Sequence, residues 1–228
     1  MILDEEASHG KLALKKRGWG SGSITIDMAF PAFHGSYGED GTMQGLFEIF
    51  NVPYVGCGVA ASALAMDKVL TKLLYRAHNI PTANFIFFTA YEWHHEKDRL
   101  MHNAEVLHFP LFVKPARLGS SIGIAKVQNE KELEFAVEVA LHYDTKVIVE
   151  EGVQNLMDIT CAVLGNDEPV PSLLQESAFE GDFFDYEEKR VNPSQSGTSI
   201  VDVEKKIALK RDPSAEEKFL AQLLKSPL

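Results

Sequence analysis

The chain has 228 residues, 45% hydrophobic and 24% charged, which suits one large domain or two small ones with a real core. A formal net charge of −11 at pH 7 sets the surface against polyanions, so neither nucleic acid nor an anionic membrane is an expected general partner. Cys57 and Cys161 show no CxxC spacing and no histidine cluster, which argues against a zinc site or a disulfide framework; no apolar run reaches membrane-span length and the N-terminus lacks a signal-peptide core, so a reducing cytoplasm is expected.

In chain order, the first twenty-odd residues are polar and end in GWGSGS, which reads as flexible. ITIDMAFPAF then reads as a buried strand, and HGSYGEDGT is dense in turn formers. TMQGLFEIFN fits a short helix with Met43, Leu46, Phe47 and Phe50 on one face, and VPYVGCG a short strand or bend. From Ser62 the pattern turns helical. It places Leu70, Leu73, Leu74 and Ala77 on one side and Lys68 and Lys72 one turn apart on another, with Asn79 and Pro81 as its end.

ANFIFF reads as a strand, 91–108 as a polar, poorly defined helix, and LFVKPA with IGIAKV as a hairpin. NEKELEFAVEVALHY is the strongest helix pattern, capped by Asn129 and with Leu133, Ala136, Val137 and Ala140 as its apolar stripe. KVIVEEGV, DITCAVLG and PVPSLLQES read as strands, FFDYEEKR as mixed and NPSQSGTS as a loop. The last sixteen residues fit an amphipathic helix with Phe219, Leu220, Leu223 and Leu224 inward. This order suggests an α/β or α+β protein with more than one lobe.

Three stretches carry chemistry. In RLGSSIG, Gly119 and Gly123 let backbone approach a ligand, successive N–H groups can cradle an anion, and Ser120 and Ser121 add donors. Lys114 and Arg117 stand at the loop's entrance, where cations form strong bonds to phosphate. No GKS or GKT follows, and the loop opens into a strand, so it is neither a Walker A loop nor a dinucleotide fingerprint. A plain Ser-Gly hairpin is the alternative. KVIVEEGV ends in two carboxylates, which is a strand running into solvent or, beside a nucleotide, an acceptor for an adenine amino group; Asp158 could then accept from ribose. His34, after apolar Ala32 and Phe33, is a structural or exposed histidine, or a cation for a small carboxylate.

AFPAFHGSYGEDGTMQGLFE, VPYVGCGVAASALAMDK, FVKPARLGSSIGI and VEEGV…AVLGN, in this order, resemble the D-alanine–D-alanine ligases of the ATP-grasp superfamily, from about Phe30 to Lys189. The resemblance implies an α+β ATP-grasp fold, incomplete at both ends. It would comprise a partial N-terminal α/β lobe (1–63), a central ATP-grasp domain (64–149) and a partial C-terminal ATP-grasp domain (150–228). It also implies roles. Lys68 and Lys114 match lysines on the ATP phosphates, and Ser120 and Ser121 match the phosphate-covering loop. Glu150, Glu151 and Val153 match the adenine linker, and Asp158 the ribose carboxylate. His34 matches the histidine at the first D-alanine carboxylate. Ser120 and Lys189 match catalytic positions, the latter on a loop closing over the γ-phosphate. The implied reaction joins two D-alanines through an acyl phosphate, with ATP and Mg²⁺, for peptidoglycan precursors in a bacterial cytoplasm. A homodimer, or a second chain supplying the C-terminal segment, is the implied assembly.

The sequence departs from the family pattern in three places. Residues 1–24 do not supply the βα unit with its Gly-rich loop and glutamate. No N-E-I-N run follows Lys189, so no metal ligands are assigned. Arg190 stands where a tyrosine commonly follows the lysine, replacing a neutral hydroxyl with a cation. These departures keep other readings open: a non-catalytic nucleotide-binding fragment, a relative with another substrate, or half of a split enzyme.

Overall fold

The computed structural model describes residues 2–3, 12–15, 23–154 and 156–177. Within the polar N-terminal stretch, β1 (Ile2–Leu3), β2 (Leu12–Lys15) and β3 (Ser23–Ile26) pair as an antiparallel sheet, so this part is not featureless coil. The expected buried strand over 24–33 is shorter and more exposed. It stops at Ile26, and Ile24, Met28 and Phe30 stand in solvent, because among the described residues no layer covers them. Beyond it, Ala29 makes an isolated parallel bridge to Tyr54.

Helix α1 (Thr42–Ile49) buries Phe47 against Val52, with Met43 and Phe50 partly covered. It ends at Asn51, which takes a left-handed φ of 52° while Val52 N–H reaches back to the Phe47 carbonyl at 2.8 Å. The single helix expected from Ser62 is two: α2 (Val59–Met66) and α3 (Lys68–Ala77). Asp67 breaks the run. Its backbone is extended and its carboxylate accepts from Val69 N and Leu70 N, which restarts the helix at Lys68. The expected apolar face of α3 is also displaced. Leu70, Leu73 and Leu74 are 41, 42 and 37% exposed, and Val69 is the residue that turns inward. Asn79 closes α3 with a φ of 58° and the Ile80 N–H to Tyr75 carbonyl bond.

The centre of the fold is an antiparallel sheet in the order β4-β7-β5-β6, from β4 (Phe85–Thr89), β5 (Leu111–Pro115), β6 (Ala125–Val127) and β7 (Lys146–Glu151). Two helices cover one face: α4 (Ala90–Glu105), kinked at Glu96, and α5 (Glu130–Tyr143). The polar composition of α4 hides a clean start, a capping box in which Thr89 and Glu92 satisfy each other's backbone N–H groups. Helix α5 follows its sequence pattern: Asn129 caps it, and Leu133, Ala136, Val137 and Ala140 are buried. These four pack with Phe88, Trp93, Leu111, Val113, Val147 and Val149 into the main core.

Further on, β8 (Asp158–Thr160) pairs with β11 (Gln175–Ser177), and β9 (Val163–Leu164) with β10 (Val170–Pro171). The mixed segment 183–190, the loop after it and the expected C-terminal helix lie outside the described residues.

Candidate functional site

Strand alternation makes the site. Leu111 and Val113 on β5, and Val147 and Val149 on β7, point to the helices and are fully buried. Their neighbours point the other way. Register places Phe112 opposite Glu150 and Lys114 opposite Ile148, so Lys114 and Glu150 are diagonal neighbours on the uncovered face. There they form a direct ion pair.

Helix α3 crosses this face, with Val69 packed on Phe85, Ala116 and Ile148. The helix brings two more lysines. Lys68 Nζ donates to the carbonyls of Pro115 at 3.1 Å and Leu118 at 2.6 Å, at the foot of the Gly-Ser loop. Lys72, one turn on, puts its Nζ 2.9 Å from Glu150 Oε2, an ion-pair approach outside good hydrogen-bond geometry. Glu150 is only 7% exposed. Burial alone would raise its pKa, but Lys114 and Lys72 outweigh it and hold the carboxylate below the ordinary range. Burial, with Lys114 adding repulsion, pushes the Lys68 pKa down.

Asp67 anchors this end of α3. Besides capping the helix, it pairs with Lys146 Nζ at 2.5 Å. The backbone N–H of Lys68 donates to the Ala116 carbonyl at 2.9 Å, which ties the helix start to the end of β5.

The Gly-Ser loop, 117–124, is wound from left-handed residues: Ser120, Ser121 and Gly123 have φ of 55°, 58° and 71°. A side chain at Gly123 would meet Pro115 Cγ and Tyr143 Cδ2 at 2.9 Å, so both conformation and space demand glycine there. Two non-glycine residues held in this region are strained backbone, of the kind that clusters at ligand-binding loops. Ser120 is exposed.

Arg117, read from the sequence as a further phosphate cation, is otherwise engaged. It forms a 2.6 Å ion pair with Asp144, and its backbone N–H donates to the same carboxylate at 2.8 Å. Arg117 fastens the loop to the start of β7, while Lys68, Lys72 and Lys114 supply the cations of the open face.

The HGSYGEDG turn closes on itself through its acids. Gly35 N–H donates to Glu39 Oε2 at 2.7 Å, and Asp40 accepts from Tyr37 N and Thr42 N. An ideal Cβ built on Gly119 would stand 3.6 Å from Glu39 Oε2, so this turn and the Gly-Ser loop abut. His34 is exposed at the turn's start. Glu151 is tied to Asn84 by its carboxylate and its backbone, Val153 is 57% exposed, and Asp158 is half-buried at the start of β8. Lys189 lies outside the described residues.

The structure thus gathers Lys68, Lys114 and Glu150 on one sheet face, with Ser120 and Ser121 on the loop beside it. Lys72 joins them, and the sequence reading gave it no role. Its signal was the one-turn spacing from Lys68. Among the described residues, no group of three or more His, Cys, Asp or Glu side chains could hold a metal ion.

An antiparallel sheet backed by two helices, with lysines facing a Gly-Ser loop on its open side, defines an ATP-grasp fold. Comparison with known proteins gives the family. The D-ala D-ala ligase C-terminus model matches residues 74–219 and the D-ala D-ala ligase N-terminus model residues 4–57. The chain belongs to the D-alanine–D-alanine ligase family. Both matches extend beyond the stretch from Phe30 to Lys189 that the motifs marked, and the N-terminal one takes in most of residues 1–24, from which the motifs gave no resemblance.

The chain is 46% identical over 185 residues to the D-alanine–D-alanine ligase of Thermosipho africanus, covering 81% of this chain and 49% of that protein. It is 49% identical over 165 residues to that of Bacillus velezensis, covering 72% and 46%. It resembles the crystal structure of the VanG D-Ala:D-Ser ligase from Enterococcus faecalis at a TM-score of 0.68 and 35% identity, covering 88% of this chain and 55% of that one. The chain spans about half the length of the curated relatives it matches.

Proposed function

We propose that this chain carries the nucleotide-binding part of an ATP-dependent D-alanine–D-alanine ligase. The observation that supports it most is the convergence of Lys72 and Lys114 on a buried Glu150, with Lys68 at the foot of the strained Gly-Ser loop beside them. In this reading Lys68, Lys114 and the loop's serines bind the ATP phosphates. Glu150 accepts from the adenine amino group, Glu151 and Val153 complete the adenine linker, and Asp158 binds ribose. His34 holds the carboxylate of the first D-alanine, and Ser120 and Lys189 serve the reaction. One D-alanine carboxylate oxygen attacks the γ-phosphorus and ADP leaves. The amine of a second D-alanine then attacks the acyl carbon, expels phosphate and loses a proton. The protein's part is positioning and charge neutralisation.

The division into a 1–63 lobe, a 64–149 central domain and a 150–228 domain belongs to the same proposal, as do peptidoglycan synthesis, a bacterial cytoplasmic setting and a homodimer. A second reading is favoured by the lack of a metal-binding cluster among the described residues. It is a chain that binds ATP and turns over only when another segment or chain supplies the metal ligands. ADP release by the purified chain with ATP, magnesium and D-alanine decides between them. D-alanine-dependent release supports the ligase reading for this chain. ATP binding without release supports the second, and no ATP binding overturns both.

A further inference from the structure

The site holds one more lysine than phosphate binding accounts for. Lys68 faces the loop and Lys114 stands on β5 with its ammonium on Glu150, but Lys72 faces the Glu150 carboxylate and the Phe85 ring, 5.5 Å from the ring centroid. Glu150 has two cations, Lys114 on one oxygen and Lys72 on the other. If Lys114 also serves the phosphates, its three N–H donors and its single charge are divided between them and Glu150, which weakens its hold on the carboxylate. Without Lys72, a carboxylate this buried whose other cation is drawn toward a polyanion would take up a proton. A protonated carboxyl donates as well as accepts, and so reads a base edge less strictly.

We propose that Lys72 is a positioning residue for base recognition: it keeps Glu150 ionised and in place when Lys114 is shared with the phosphates, so that this acid selects an amino group over a carbonyl on the purine. This rests on the ATP reading above. The other groups around Glu150 do not substitute for Lys72. On β7, Lys146 is paired with Asp67, and Glu151 is held by Asn84. On α3, Lys68 is bound to the Pro115 and Leu118 carbonyls, and Arg76 stacks on Phe85 at 4.1 Å. From β4 and β5, Phe85 and Phe112 pair with Glu150 in register and bring no charge.

The test is titration calorimetry of the 228-residue chain with ATP and with inosine triphosphate, whose base carries a carbonyl in place of the amino group. Each nucleotide is run in two buffers of different ionisation enthalpy. The proteins are wild type, Lys72→Met, Lys72→Arg and the Glu150→Gln and Glu150→Gln/Lys72→Met pair, each checked by thermal melting. Lys72→Met should narrow the ATP-over-ITP preference by about tenfold and take up more protons on ATP binding than wild type. Its ATP affinity should recover as pH falls, because the unpaired carboxylate is then neutralised. Lys72→Arg should restore all three. Within the Glu150→Gln background, Lys72→Met should leave the preference unchanged. Wild-type preference and proton uptake in Lys72→Met, or a changed preference in the Glu150→Gln background, overturns the proposal while the ATP reading stands. A wild-type chain that binds no ATP overturns both.

Discussion

The two faces of the central sheet use the same strands for opposite ends. On the helix side, Leu111 and Val113 of β5 and Val147 and Val149 of β7 are fully buried aliphatics, and α4 and α5 seal it with Trp93, Leu133, Val137 and Ala140. On the other side the alternate residues include Lys114 and Glu150, and among the described residues the cover is α3, which contributes one inward apolar residue, Val69, and two lysines. The first face gains from burial in proportion to apolar area. The second gathers charges whose desolvation offsets much of their attraction, so it adds little to stability. A sheet that is secure on one side can hold such a cluster on the other, ready for a polyanion.

This contrast can be broken from either side. The largest effect is expected for Val149→Asp, which drives a charge into the sealed face. It should cost more than about 4 kcal/mol and abolish cooperative thermal unfolding. Asp67→Ala comes next. It removes the cap of α3 and leaves Lys146 unpaired in a partly buried site, for a loss of about 2 kcal/mol in denaturant titration, with a rise in Kd for ATP because Lys68 loses its anchor.

Lys114→Ala should separate the faces most sharply. ATP affinity should fall about tenfold while stability changes by less than about 1 kcal/mol, since the mutation leaves Glu150 with Lys72. Unchanged ATP affinity in that variant would remove this lysine from the nucleotide site.

A smaller effect concerns acid. Burial opposes ionisation of Asp144, but Arg117 and backbone donors prevail and hold its pKa below the ordinary 3.8. A depressed folded pKa contributes stability that is fully present above the unfolded value and fades as pH falls through the folded one. The difference in melting temperature between wild type and Asp144→Asn should therefore be largest near neutrality and shrink below about pH 4. Glu150 acts with the same sign. The smallest effect is expected for His34→Ala. Being exposed on the turn, it should leave melting and ATP binding unchanged and weaken only D-alanine binding. An equal loss of ATP affinity would make the histidine structural.

Much of this was legible in the sequence where local rules act alone. Helix α5 carries its cap and its stripe in one stretch of chain, and β5 and β7 appear as short apolar runs rich in β-branched and aromatic residues, so these elements need no partner to be recognised. The ordered motifs HGSYGEDG, KPARLGSSIG and VEEGV pointed to a family because each spacing reflects a local turn or strand end. Helix α3 shows the limit. Its leucines trace an apolar stripe, yet they are exposed and Val69 is buried, because which side of a helix faces the core depends on where Asp67 and the Lys68–Ala116 bond dock it.

Residue chemistry could say that Arg117, Lys114, Lys68 and Lys72 were cations. It could not say that Arg117 would be taken by Asp144, or that Lys72 would share a carboxylate with Lys114. Those assignments join residues far apart in the chain across strand register and a docked helix, and only the tertiary structure sets such distances. Composition, capping and periodicity are local properties that the sequence determined; the choice of partner for each charge is a non-local one, decided when β5, β7 and α3 came together.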